Sequence, residues 1–175
     1  MTTAGKVPKS ALKPAPPAFT SDAAVREALA RYLTAVAQYL HGTGPRVSGP
    51  TLAPPGERLA GTLIAPATNS KDNRGLVVAR WNEETGWSTR RDHPNQPTST
   101  RRYLHQRLVP APALAAQFIT AATHSDALTS TDVSTDVSAD GAPAVAALTV
   151  ADYPMQFRYR TGRAEHLLTQ LTRAT

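Results

Sequence analysis

Two pairs of adjacent arginines, Arg90-Arg91 and Arg101-Arg102, bracket the run DHPNQPTST, and Asp92-His93 opens that run. Guanidinium forks bind phosphate and carboxylate groups in a bidentate fashion, so four of them converging around His93 would form an anion-binding surface. A second basic feature lies towards the end of the chain. Met155, Phe157 and Tyr159 alternate with Gln156, Arg158 and Arg160, a strand period that puts arginines on one face and aromatics on the other. Aromatic rings beside arginines can stack on bases, which extends the anion reading to nucleic acid. The candidate anion or nucleic-acid surface is therefore Arg90, Arg91, Arg101, Arg102, Arg158 and Arg160. The same residues also fit a solvated face, because exposed strands carry arginine to discourage edge-to-edge pairing.

Catalytic chemistry finds less to work with. The five histidines, His41, His93, His105, His124 and His166, form no HxH, HxxxH or HExxH pattern. The chain has no cysteine, which removes disulfides, thiolate zinc sites and a Cys nucleophile together. No GxSxG, Walker A or GxGxxG motif occurs. Asp92-His93 lacks the third group that would orient an acid–base pair. Glu83-Glu84 falls in a strand-linking turn, where two carboxylates splay into water rather than face each other across a cleft. The expectation is a non-catalytic protein with no cofactor, no metal and no catalytic residue.

The elements that position these residues follow from periodicity. Residues 1–20 are Lys-, Ala- and Pro-rich and read as a disordered basic arm. Ser21 or Asp22 then offers an N-cap to a helix in which Val25, Leu29, Tyr32, Leu33, Val36, Tyr39 and Leu40 share one stripe, with His41-Gly42 as its stop. Short β-prone runs follow at 47–52, 59–65 and 76–81. In GLVVARWNEETGWSTR, two apolar runs flank a turn whose Gly86 suits a positive φ. Trp81 and Trp87 bracket that turn, and each brings a large apolar area to a small core. Residues 101–108 fit a strand or a helix. Pro110 and Pro112 suit the first turn of a helix that runs through Leu114, Phe118 and Ile119 to about Thr123.

Together these predict an α+β fold: an N-terminal helix, a three- to four-stranded antiparallel sheet and a closing helix, forming one domain over residues 21–124. Residues 125–152 contain Ser-Thr-Asp-Val twice, four aspartates and no base before Gly141, and read as a disordered linker. Residues 153–175 then supply a short strand-helix element. Its Phe157, Tyr159, Leu167, Leu168 and Leu171 are more apolar than a spacer needs, so they are the candidate partner contacts.

The chain has 175 residues, a formal net charge of +6, a pI near 10.1, and only 18% charged and 6% aromatic residues. A positive balance attracts nucleic acid, anionic lipid or acidic partners through a field that salt screens. The first twenty residues hold no apolar h-region, and no stretch approaches the length of a membrane span, so the expected location is the cytoplasm, with no membrane contact.

Residues 25–122 resemble a family of small actinobacterial proteins whose domain has no assigned function. The matching stretches are YLTAVAQYL, LVVARWNEETGWS and RRYLHQRLVPAPALAAQFI. In that family the hairpin reads apolar residues, Trp-Asp/Asn-Glu, a short turn and Gly-Trp, and the closing segment ends in Leu-Pro, Pro-Ala and an Ala-rich helix with a late Phe. These positions fall here on Trp81, Asn82, Glu83, Gly86, Trp87, Pro110, Pro112 and Phe118. The resemblance implies the architecture and an actinobacterial source, and no activity. The basic stretch 90–107 departs from the family, whose members are usually more acidic and Gly-rich there. The function expected on all these grounds is a non-catalytic accessory or regulatory module that binds another protein or itself, with nucleic-acid binding as the alternative.

Overall fold

The computed structural model of the protein describes residues 23–68, 75–92, 99–124, 148–157 and 163–175. The N-terminal arm, the greater part of the linker, His93, Arg158, Tyr159 and Arg160 lie outside the described residues.

The expected apolar stripe winds Ala23–Thr43 into helix α1, with Val25, Leu29, Tyr32, Leu33, Val36 and Leu40 each fully buried. Tyr39 departs from the expected stripe and is 50% exposed, while Ala28 and Ala37 complete the buried face. The helix also runs through His41-Gly42 rather than stopping there. Its last turn closes at Gly44, whose N–H donates to the Leu40 carbonyl at 2.8 Å. Glycine marks a helix end when it takes a left-handed backbone, and Gly42 stays helical.

Among the described residues, six strands form one antiparallel sheet in chain order, with a helix between the last two: β1 (Ser48–Leu52), β2 (Ala60–Pro66), β3 (Leu76–Asn82), β4 (Gly86–Asp92), β5 (Arg102–Leu104) and β6 (Val150–Ala151). The four long strands match the expected runs. The fifth and sixth exceed the expected number because runs of three and two residues carry no readable period. The ambiguous stretch after residue 100 thus resolves into a short strand and a turn. Strand β6 arises at the end of the expected linker, upstream of the alternation at 155–160. Met155, Gln156 and Phe157 pair with no strand, and Pro154 before them lacks the amide proton a ladder needs.

Side chains alternate across the sheet, and the described helices cover one of its faces. Gly61, Leu63 and Ala65 of β2, Val77, Ala79 and Trp81 of β3, and Trp87, Thr89 and Arg91 of β4 point to that face. Helix α1 lies against β1 and β2, and α2 (Pro112–His124) lies against β3 and β4. Gly61 is the point of closest approach: a Cβ there would collide with the Leu33 side chain. Pro112 stands at the first helical position of α2, where its missing N–H costs nothing. Helix α3 (Arg163–Ala174) packs on α1, with Leu167 and Leu171 at 1% and 0% exposure, so the C-terminal element joins the core. No helix among the described residues is long and apolar enough to cross a membrane.

Candidate interaction surface and the buried indole network

The WNEETGW turn is built from its own side chains. Asn82 Oδ1 accepts hydrogen bonds from the backbone N–H groups of Glu84 and Thr85 at 2.9 and 2.8 Å, and its Nδ2 donates to Thr85 Oγ1 at 2.7 Å. This side-chain loop stands in for a backbone turn, the usual reason for Asn or Asp at such a position. Gly86 closes the turn at φ +68°, a left-handed conformation that costs any residue with a Cβ. A Cβ there would stand 3.5 Å from the Leu108 carbonyl and 3.6 Å from the Phe157 ring, which is ordinary contact. Backbone conformation, and not space, calls for glycine.

Both tryptophans are core residues, as their size predicts. Each buried indole N–H needs an acceptor, and each finds one on a distant segment. Trp81 Nε1 donates to the Leu108 carbonyl at 2.7 Å. Trp87 Nε1 donates to the Tyr32 hydroxyl at 3.0 Å, and that hydroxyl donates onward to the Pro110 carbonyl at 2.9 Å. Burial pushes the Tyr32 phenol well above its usual range, and the hydrogen bond from Trp87 draws it back in part. The network ties α1, the β3–β4 hairpin and the segment entering α2 into one unit. Of the two turn carboxylates, only Glu84 splays into water, where it pairs with Arg58 at 2.5 Å. Glu83 turns inward to 6% exposure, and its backbone N–H donates to the Leu59 carbonyl at 3.2 Å.

The arginines do not converge. Antiparallel pairing sends neighbours to opposite faces, and each pair is split accordingly. Arg91 faces the helices at 6% exposure, and its Nε donates to the Ala122 carbonyl at 2.9 Å in the last turn of α2. Arg102, opposite Thr89, lies on that same side and pairs with Asp152 just beyond β6. Arg90 and Arg101 reach the other face, where Arg90 pairs with Asp92 at 3.0 Å and Arg101 donates to Ser88 Oγ at 3.3 Å. Of the candidate partner contacts, Leu167 and Leu171 are core side chains, while Leu168 and Phe157 are partly buried against the core.

The described helices leave the second face of the sheet uncovered, although Ser88 on it is 1% exposed. On it, Ile64 stands opposite Val78, which stands opposite Arg90. One pleat along, Thr62, Arg80, Ser88 and Tyr103 form a row across four strands. Ile64 and Leu76 are 38% and 45% exposed, and Arg80 is exposed and makes no ion pair with a described residue. None of the three described helices packs on this face. Ile64, Leu76, Val78 and Arg80 lie outside the expected surface. Their signal is LVVAR in β3, which is apolar on both faces and so lacks the polar alternation of a strand with one solvated side.

Among the described residues, no group of three or more His, Asp or Glu side chains stands together as a metal site. His105 bonds the Tyr153 carbonyl at 2.6 Å and stacks edge-on against its ring. His124 bonds Thr68 Oγ1 at 2.9 Å, and His166 bonds Gln170 at 2.8 Å.

An antiparallel sheet with helices on one side, fastened by indole hydrogen bonds and carrying an aliphatic and basic outer face, defines a two-layer α+β domain. The model of a family of unknown function (DUF6292) matches residues 32–121, just over half of the chain, and the protein belongs to that family. No curated protein and no solved structure matches it. The matched region runs from Tyr32 through the hairpin to α2, and so contains every member of the indole network.

Proposed function

We propose that the protein is a non-catalytic accessory or regulatory module of the cytoplasm that binds another protein through the outer face of its sheet. The observation that carries this reading is the pair Ile64 and Leu76, large aliphatic side chains exposed on neighbouring strands of a sheet whose other face is packed with helices. Contiguous exposed apolar surface rimmed by polar groups marks interaction sites in soluble proteins. The contact moves from the C-terminal element to the sheet, because Leu167 and Leu171 are already used within the chain. An actinobacterial source belongs to the same reading and rests on the Ala-, Arg-, Pro- and Thr-rich composition.

The test is a photo-crosslinking residue placed at position 76 of the full chain in its source cells, with exposed Thr172 on α3 as the control position. A discrete protein adduct from position 76 and none from position 172 is the expected result. Equal adducts from both positions, or none, sink the reading.

Nucleic-acid binding keeps one observation in its favour: Arg80, Arg90 and Arg101 share the outer face. Phosphate contacts make affinity fall steeply with salt. A mixed-sequence duplex or single strand that the protein fails to retard at low salt removes this second reading.

A further inference from the structure

Rows of side chains on the outer face divide by chemistry. The aliphatic part is Ile64 opposite Val78, with Leu76 one pleat from Val78 on the same strand. Cross-strand neighbours lie about 5 Å apart and alternate residues of one strand about 7 Å apart, so these three side chains form one patch. The basic part borders it directly. Arg80 is one pleat beyond Val78, Arg90 is opposite Val78, and Arg101 reaches Ser88, the residue opposite Arg80. Among the described residues, three guanidiniums stand there against one carboxylate, Asp92, which is already paired with Arg90.

We infer that this face selects a short acidic, aliphatic segment of a partner protein, whose branched or Leu side chains cover Ile64, Leu76 and Val78 while its carboxylates meet Arg80 and Arg101. This deepens the binding reading above and rests on it. Two alternatives fit the same face less well. A second copy docked face to face would set guanidinium against guanidinium, a repulsive pairing. A single-stranded nucleic acid needs aromatic platforms for its bases, and the exposed centre of the patch is aliphatic, with Tyr103 at its edge and half-buried. Arg80 is the main determinant of charge preference, because Arg90 is paired with Asp92 and Arg101 is bonded to Ser88. A carboxylate bound in the bidentate manner supplies acceptors in the plane of its fork.

The test is selection from a displayed library of random peptides on the full chain, followed by fluorescence anisotropy of the best peptide with wild type, Arg80→Glu and Leu76→Ser. Enriched peptides with net negative charge and at least two Leu, Ile or Val are expected, and each substitution weakens binding about tenfold or more. Both positions are exposed, so thermal melting that matches wild type shows that the fold is intact. Neutral or basic enriched peptides, an unchanged affinity for Arg80→Glu, no enrichment, or displacement by an equal amount of oligo-dT each overturn the inference. The crosslink from position 76 is a separate readout. An adduct there with a partner lacking acidic, aliphatic segments preserves the protein-binding reading and removes only this one.

Discussion

The indole N–H of Trp87 and the hydroxyl of Tyr32 meet at 3.0 Å, joining a strand to a helix 55 residues away in sequence. Their rings are tilted at 52° with centroids 6.3 Å apart, so the polar contact comes with an aromatic one. Because the same hydroxyl donates to the Pro110 carbonyl, Tyr32 satisfies both a buried donor and a buried acceptor.

Tyr32→Phe keeps the ring and leaves Trp87 Nε1 and the Pro110 carbonyl unpaired. A loss of about 1–3 kcal/mol in unfolding free energy is expected, measured by urea titration. The pH dependence carries a definite sign. The folded-state pKa of Tyr32 is raised, so its contribution is complete below its unfolded value of about 10 and falls as pH rises beyond it. The gap between wild type and Tyr32→Phe therefore narrows from about pH 9 to pH 11. A gap that stays constant or widens contradicts the assignment.

Asn82→Ala removes the acceptor for two turn N–H groups, and Asn82→Asp keeps it. The alanine variant should lose about 1 kcal/mol and the aspartate variant clearly less, since the Thr85 hydroxyl can turn to donate to the carboxylate where it accepted from the amide. Equal losses in a denaturation series would mean that the side-chain loop does not hold the turn.

Leu171 is fully buried between α3 and α1. Leu171→Ala should cost about 2–5 kcal/mol, against less than about 0.5 kcal/mol for its exposed neighbour Thr172→Ala. A Leu171→Ala protein that melts like wild type would detach the C-terminal helix from the core.

Arg91 and Arg80 separate structural from surface arginine. Arg91 Nε satisfies the Ala122 carbonyl in the final turn of α2, where the backbone has no helical partner to offer. Arg91→Ala should lower stability by about 1–3 kcal/mol, whereas Arg80→Ala should stay within about 0.5 kcal/mol of wild type. The reverse order in thermal melts would place Arg91 at the surface.

Much of the fold is legible in local pattern because it is written with long periods. Val25 to Leu40 at spacings of three and four make α1, and alternation with a Gly-containing turn makes the β3–β4 hairpin. The two short strands and the docking of α3 carry no such signal, since two or three residues have no period and an apolar helix stripe does not name what covers it.

The candidate surface divides in the same way. Sequence alone determined which residue types are available: paired arginines, two tryptophans beside a turn, no cysteine and no catalytic motif. Only the tertiary structure decided where they point. Strand alternation sent Arg91 inward to cap α2 and left Arg90 outward, and register brought Ile64, Val78 and Arg90 into one row. The physical reason is that a strand offers two equivalent faces, and only the packing of α1 and α2 on one of them makes the other a surface.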